Sequence, residues 1–316
     1  MTNPEPITVV VSARRQVARD IVEFTLARPD GGPLPGWEPG AHIDVLLADD
    51  TVRQYSLCST PEDPGCYRIA VLREAGGRGG SIRMHETLLP GSTVAIRPPR
   101  NHFPLVRALE YILVAGGIGI TPMLPLAAAA QHSGRPWRLV YTGGEAEAMA
   151  YADELRDLYG SAVTVHESGF QDRIDVAALL ADARPGTAVF VCGPAGLIAA
   201  AEDACRELPA VDVFSERFAA LATTTADDVA FEVSLARSGL ILTVPPGRSI
   251  LEMAEEHSVL AASSCREGAC GTCETEVVSG EIDHRDAVLS PEERAEGESM
   301  MICVSRCAGG RLVLEL

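Results

Sequence analysis

The segment Ser263-Ser264-Cys265-Arg266-Glu267-Gly268-Ala269-Cys270-Gly271-Thr272-Cys273 spaces three cysteines as Cys-x4-Cys-x2-Cys, and a fourth, Cys303, follows after 29 residues. This is the ligand spacing of a plant-type [2Fe–2S] cluster. Gly268 and Gly271 keep the loop small, so that its backbone N–H groups can be aimed at sulfur atoms. Structural zinc is the alternative. Zinc sites usually pair two short Cys hairpins, whereas here three thiols share one loop and the fourth comes from a distant apolar stretch, Met300 to Val304, expected to be a strand. Disulfides are not expected, since Met1 to Pro6 is short and polar and reads as no signal peptide. The other cysteines, Cys58, Cys66, Cys192, Cys205 and Cys307, show no ligand spacing among themselves.

Outward from this loop, composition sets the bounds. The chain has 316 residues, 47% of them hydrophobic, enough for two or three domains with separate cores. No apolar run reaches the roughly 18 residues of a membrane span. The net charge is −18, and all 26 basic residues are arginine. Such an acidic chain is poorly suited to nucleic acid, which demands basic surface. The acid concentrates from Asp227 to Leu316, where 17 Asp and Glu face 7 Arg. An acidic face of this kind can steer a basic partner, and the residues near Glu292, Glu293, Glu296 and Glu298 are expected to contribute to docking.

Three regimes follow one another. Residues 7 to about 104 hold short β-branched stretches broken by Pro and Gly: Ile7 to Val11, Ile21 to Leu26, His42 to Leu47, Tyr67 to Arg73 and Thr93 to Arg97. This predicts an antiparallel barrel. From about 110 to 214, apolar strands alternate with Ala- and Leu-rich helical stretches, among them a helix over Asp175 to Ala183, which predicts a doubly wound parallel sheet. A small, polar stretch around Thr223-Thr224-Thr225 reads as a linker, and then Phe231 to Leu235 and Ile241 to Val244 predict a hairpin and Ser249 to Glu256 a helix. The expected domains are 1–104, 105–220 and 230–316, with 221–229 as linker.

Sites are legible in the first two regimes. In Arg53-Gln54-Tyr55-Ser56-Leu57, an arginine, an aromatic ring and a hydroxyl suit a phosphate and a planar ring. Gly76-Gly77-Arg78-Gly79-Gly80-Ser81 brings backbone N–H groups to a helix start, where anions bind; a flexible turn is the bland alternative. The run from Tyr111 to Pro122 is a buried strand that breaks at Gly116-Gly117-Ile118-Gly119-Ile120-Thr121 into a helix, the junction at which α/β sheets bind nucleotides. Cys192-Gly193-Pro194 forms a second turn at the same sheet edge, and Cys192 by itself reads equally as a small buried residue.

Together, Arg53-x-Tyr55-Ser56-Leu57, Gly79-Gly80-Ser81, Pro99-Arg100-Asn101-x-Phe103, Gly116-Gly117-Ile118-Gly119-Ile120-Thr121-Pro122-Met123, Cys192-Gly193-Pro194 and the C-terminal cysteine set resemble the phthalate dioxygenase reductase family, within the wider ferredoxin-NADP reductase superfamily. Vanillate demethylase reductases and the reductase portions of some self-sufficient P450 enzymes share this order. The resemblance covers nearly the whole chain. It implies a flavin-binding β-barrel holding FMN, an α/β domain for NADH, and a C-terminal β-grasp ferredoxin domain whose cluster is held by Cys265, Cys270, Cys273 and Cys303. By position, it implies that Arg53, Gly79, Gly80 and Ser81 hold the FMN phosphate and that Tyr55 and Ser56 lie against the flavin. Gly116, Gly117, Gly119 and Thr121 would begin the nicotinamide helix, Cys192, Gly193 and Pro194 would lie near the nicotinamide ring, and Phe218 would cover the flavin. Read by itself, Phe218 is also a candidate core residue closing the domain.

After the second strand of the α/β regime the chain reads Tyr141-Thr142-Gly143-Gly144-Glu145, with an acid and no arginine. A carboxylate accepts from a ribose diol and repels a 2′-phosphate, which favours NADH with Glu145 as the contact. Gly143-Gly144 departs from the family, many of whose members place a basic residue in this loop. The expected activity is that of an NADH-dependent oxygenase reductase, passing electrons through FMN and the cluster to a separate terminal oxygenase, either a Rieske iron protein or a cytochrome P450. A monomer in the cytoplasm is the expected setting. An NADH diaphorase or flavin/quinone reductase and an iron–sulfur redox sensor are the rivals.

Overall fold

The computed structural model describes residues 5–47, 51–76, 79–169, 173–218 and 228–316. Gly77 and Arg78 of the glycine-rich turn and residues 221–227 of the expected linker lie outside them. The chain divides into two compact units, Glu5–Arg217 and Phe218–Leu316.

The first unit opens with seven strands: β1 (Ile7–Ala18), β2 (Ile21–Ala27), β3 (Ala41–Leu46), β4 (Val52–Ser56), β5 (Cys66–Leu72), β6 (Thr93–Ile96) and β7 (Arg100–Asn101), with helix α1 (Gly80–Thr87) between β5 and β6. Their pairing is antiparallel, in the order β4-β3-β6-β1-β2-β5, with β7 beside β3. Cys58 N donates to Arg68 O at 2.9 Å, so the chain leaving β4 bonds to β5 and brings the two ends of the path together. The interior is filled at every second residue: Val9 and Val11, Ile43 and Val45, Ile69 and Val71, Val94 and Ile96 are all buried. This is the period of a strand with one face inward. β1 runs seven residues beyond the expected Val11 and turns back tightly at Arg19-Asp20, where Asp20 takes the left-handed conformation at φ 62°.

The same unit continues as β8 (Glu110–Gly116), α2 (Ile120–His132), β9 (Trp137–Gly143), α3 (Ala152–Tyr159), β10 (Val163–Glu167), α4 (Val176–Leu180), β11 (Thr187–Cys192), α5 (Ala195–Arg206) and β12 (Asp212–Glu216). All five strands are parallel, in the order β10-β9-β8-β11-β12. β8 is central, and its two faces serve two cores. Tyr111, Leu113 and Ala115 join α2 on one side, while Ile112 and Val114 join α5 on the other. The order reverses between β8 and β11, and ligands bind outside the carboxyl ends of strands at such a reversal. α4 is shorter than expected. Asp175 caps it by accepting from Ala178 N at 3.0 Å, and after Leu180 the chain closes a turn in which Ala183 N donates to Leu180 O at 2.9 Å.

The second unit holds β13 (Phe231–Leu235), β14 (Leu240–Val244), α6 (Ile250–Glu256), β15 (Glu274–Ser279), β16 (Ile282–Asp283), α7 (Pro291–Glu296), β17 (Ser299–Met301), β18 (Arg306–Cys307) and β19 (Arg311–Leu314). The main sheet runs β14-β13-β19-β15-β17, with β13 and β19 parallel, and α6 packs its Ile250, Leu251 and Ala254 into the same core as the sheet's Val233 and Leu312. This is the β-grasp arrangement. The expected strand from Met300 to Val304 stops at Met301. Val304 N and Ser305 N both return to Met301 O, at 3.1 and 3.0 Å, so Cys303 sits in a turn.

Candidate active site and cluster loop

In the second unit the four cysteines are buried and come together in two hydrogen-bonded pairs, Cys265 with Cys270 and Cys273 with Cys303. Among the described residues no three His, Cys, Asp or Glu side chains converge as one metal ion requires. Two pairs of thiols are what a dinuclear cluster takes, two on each iron, so the donor set fits [2Fe–2S] better than zinc. Backbone N–H groups already serve the sulfurs: Glu267 N donates to Cys265 Sγ at 3.3 Å and Thr272 N to Cys270 Sγ at 3.4 Å. The hydrogen bonds to Cys270, led by that from Cys265, pull its thiol down to about 6.

The loop rests on a residue that no sequence motif marks. Asp286 is fully buried and accepts from Val288 N at 3.1 Å and Leu289 N at 2.9 Å. Next to it, Ala287 N donates to Gly268 O at 2.7 Å. A Cβ on Gly268, whose φ is +70°, would lie 2.5 Å from Val304 Cγ2 and 3.0 Å from Asp286 Cα. Glycine is therefore demanded twice there, by conformation and by space. Of the four acids expected on a docking face, Glu293 is committed elsewhere: its carboxylate accepts from Ser290 N at 2.7 Å and closes the capping box of α7.

In the first unit, Arg53 and the glycine turn meet. A Cβ on Gly80 would stand 2.6 Å from Arg53 Nε and 2.8 Å from Arg53 Cγ, so the arginine side chain lies directly over the start of α1. Gly79 caps α1 in the left-handed conformation at φ 79°, and Ser81 Oγ accepts from Glu74 N at 3.1 Å. A guanidinium beside the N–H groups of a helix start suits a phosphate group, and glycine at position 80 is what lets the arginine lie so close. Tyr55, on the same strand, packs against the barrel core, and burial raises its phenol above the ordinary range.

The parallel sheet builds the second half of the site. A Cβ on Gly119 would collide with the Cys192 carbonyl, lying 2.5 Å from its carbon and 2.8 Å from Gly193 N. One on Gly116 would lie 2.6 Å from Pro194 Cδ, and one on Gly193 would lie 2.8 Å from Gly116 Cα. The turns after β8 and β11 thus touch backbone to backbone. Gly117, by contrast, answers a conformational need, with φ +55° and open space beside it. Thr121 is buried and spends its hydroxyl on Ile118 O at 3.0 Å, so its role is to fix this turn. Cys192 is fully buried, and burial, then the neighbouring Glu216, holds its thiol well above the usual range.

Glu216 ends β12, in register with Cys192, and accepts from Ser56 Oγ at 3.2 Å. This bond spans 160 residues and joins the barrel strand that carries Arg53, Tyr55 and Ser56 to the sheet edge that carries Cys192. Burial raises the Glu216 carboxyl from 4.5 to about 8, with the Ser56 hydrogen bond opposing. The unfolded chain therefore releases this proton above 4.5 while the folded chain keeps it to about 8, so the folded state binds more protons and stability falls as pH rises across that window. Glu216→Gln is expected to flatten the decline in melting temperature over this range. An unchanged decline would mean that the carboxyl ionises in the folded protein as it does in water.

Glu145 lies just past β9, where Arg19 Nη1 pairs with its Oε2 at 2.8 Å. Phe218 is 44% exposed, so it is no core residue.

Residues 233–308 match the model of the 2Fe–2S iron–sulfur cluster binding domain, and residues 93–212 match the N-terminal domain of dimethylamine monooxygenase subunit DmmA-like proteins. The chain is 41% identical to the carnitine monooxygenase reductase subunit of Escherichia coli and 40% identical to the phthalate dioxygenase reductase of Burkholderia cepacia, each time over the whole of both chains. Among solved structures, phthalate dioxygenase reductase, described as a modular structure for electron transfer from pyridine nucleotides to [2Fe–2S], matches with a TM-score of 0.74 and 39% identity over both whole chains. An intact type IV self-sufficient cytochrome P450 monooxygenase matches at 0.88 and 38%, covering 98% of this chain and 41% of the longer one. The thiol pairs, the Arg53 cradle and the glycine-lined sheet edge are thus set in a fold and a sequence shared from end to end, and the chain belongs to the phthalate dioxygenase reductase family of oxidoreductases.

Proposed function

We propose that this chain is the NADH-oxidising reductase of an oxygenase system and hands electrons to a terminal oxygenase, either a Rieske iron protein or a cytochrome P450. Residues 1–104 hold FMN, 105–220 hold NADH, 221–229 link, and 230–316 hold the cluster. When bound, FMN supplies the conversion of a hydride into single electrons, and the [2Fe–2S] cluster supplies one-electron storage. The observation that carries this reading is the Ser56–Glu216 hydrogen bond. It brings the hydroxyl of the flavin strand to the same corner as Cys192 and the glycine turn at the strand reversal, where a nicotinamide would lie. The chain's own residues do the placing. Arg53 and the start of α1 bind the FMN phosphate, Tyr55 and Ser56 lie against the ring, and Gly116, Gly119 and Gly193 let the dinucleotide approach the backbone. No acid or base is needed for hydride transfer, so Cys192 serves by its small, uncharged bulk, and Phe218 covers the flavin until nicotinamide arrives. The relatives' names, with monooxygenases and dioxygenases among them, support an oxygenase as partner. A monomer in the cytoplasm completes the reading, and no helix among the described residues is long and apolar enough to cross a membrane.

An anaerobic titration with NADH, read by visible absorbance and EPR after chromatographic identification of the released flavin, tests this. Bleaching of bound FMN with the appearance of a [2Fe–2S] signal is the expected result. A colourless protein containing zinc would overturn it.

A further inference from the structure

The β1–β2 hairpin does more than close a barrel edge. Its far end leaves the barrel core: Ile21 belongs to the hydrophobic cluster that contains Leu113, Leu139 and Tyr141 of the parallel sheet, and Val17 and Ala18 pack against that cluster. The turn is then tied to the loop after β9, since Arg19 N donates to Glu147 O at 2.6 Å and the Arg19 guanidinium pairs with Glu145. That loop is itself held. Ser168 N and Ser168 Oγ both donate to Gly143 O, at 2.7 and 2.9 Å, and Gly169 N donates to Gly144 O at 2.6 Å. A Cβ on Gly144 would meet nothing within 4 Å, so the space beside Glu145 is open. The side chains of Arg19 and Glu145 are 55% and 51% exposed, within reach of a ligand arriving at the carboxyl ends of β9 and β10.

We propose that Arg19 is a coenzyme-selecting residue. It orients the Glu145 carboxylate toward the two hydroxyls of an adenosine ribose, and it is itself a latent receptor for a 2′-phosphate, masked only by that carboxylate. The proposal rests on the reading of the Glu145 loop as the adenosine-ribose site. The chemistry is asymmetric. A carboxylate accepts from both hydroxyls of a diol but repels a phosphate, whereas a guanidinium offers paired donors that match a phosphate. With Glu145 present, the guanidinium is engaged and a 2′-phosphate meets an anion. Without it, the same position presents an unopposed cation. Preference for NADH over NADPH then hangs on one side chain, and the cation that would reverse it comes from the barrel, where no nucleotide motif points.

An exposed ion pair contributes little to folding, so both partners can be changed without unfolding the protein. The holoprotein, with flavin and cluster spectra verified, is assayed by stopped-flow flavin bleaching with NADH and with NADPH, as wild type, Glu145→Gln, Arg19→Ala and the double variant. Glu145→Gln is expected to lose several-fold in kcat/KM for NADH and to gain at least about tenfold for NADPH, a gain that the double variant abolishes while keeping the NADH loss. Inhibition by 2′-phospho-AMP should strengthen in Glu145→Gln and vanish again in the double variant. A gain for NADPH that survives removal of Arg19 overturns the proposal and leaves the ribose site standing. No change with either coenzyme in Glu145→Gln overturns the ribose site itself, and the proposal with it.

Discussion

Cys270→Ser is expected to leave flavin bleaching by NADH within about twofold of wild type while cutting electron delivery to an oxygenase by at least a hundredfold, the range known for disturbed metal sites being roughly ten- to a hundredfold when only supporting residues are changed. Cys270 pairs with Cys265, and the backbone of its own loop already serves its sulfur. Its thiol is already drawn down by neighbouring donors, including Thr272 N, so the position is built for a thiolate. A serine hydroxyl has no comparable tendency to ionise and places a shorter, harder donor in the same cradle. Arg53, Tyr55, Ser56 and the turns after β8 and β11, proposed to place flavin and coenzyme, belong to the other compact unit, Glu5–Arg217, in which nothing is substituted. The measurement pairs anaerobic flavin bleaching with reduction of a purified terminal oxygenase, and counts iron per chain. A diaphorase acting directly on free flavins or quinones would lose nothing in either turnover, and a redox sensor would show no fast bleaching to begin with. If Cys270→Ser kept full delivery to the oxygenase, the chain of transfer through the cluster would be wrong.

The parts of this protein that are legible in its sequence are those whose physics is local. Three cysteines within nine residues fix their own spacing, and the strand from Tyr111 to Ala115 followed by Gly116-Gly117-Ile118-Gly119 needs no distant partner to announce a strand, a tight turn and a helix start. Alternation in β3, β5 and β6 likewise identifies the barrel strands. What escapes depends on register between remote segments. Glu216 belongs to the site only because β12 pairs with β11 so that Glu216 faces Cys192, and because the barrel brings Ser56 to it. Arg19 reaches Glu145 only because β1 runs on to Ala18 and carries its turn beyond the barrel. Asp286 supports the cysteine loop through two main-chain caps and its neighbour's bond to Gly268, none of which leaves a periodic trace. α7 does leave one. Ser290 and Glu293 carry the spacing of a capping box, a local pattern that is enough to place a helix start there and to turn the Glu293 carboxylate back onto its own backbone.

Gly119→Ala should separate the two roles a glycine can play at a nucleotide junction, and its effect is expected to be large. The wild-type residue has φ −61° and ψ −2°, a conformation open to any residue, so no backbone strain argues for glycine here. The argument is space alone. The added methyl group would run into the Cys192 carbonyl, 2.5 Å from its carbon and 2.8 Å from Gly193 N, and a backbone carbonyl in a fully buried strand cannot swing aside as a side chain can. Overpacking of this kind costs about 1–3 kcal/mol, absorbed by parting the turns after β8 and β11. In the proposed site those turns flank the nicotinamide at the strand reversal, so their separation would displace it, and a shift on the order of 1 Å costs about a hundredfold in rate. Flavin bleaching at saturating NADH is therefore expected to fall by one to two orders of magnitude, while bound flavin and iron content stay at wild-type levels. Gly196→Ala supplies the contrast. Gly196 stands in the first turn of α5, with nothing within 4 Å of an added Cβ, and alanine there should leave the rate unchanged and stabilise the helix by roughly 0.5–1 kcal/mol. The two substitutions add the same methyl group to the same edge of the same sheet. If both slowed bleaching equally, the backbone contact between Gly119 and Cys192 would not be what positions the coenzyme. If only Gly119→Ala did, the closeness of the two turns is itself part of the catalytic apparatus, set by a glycine whose conformation alone would never have required one.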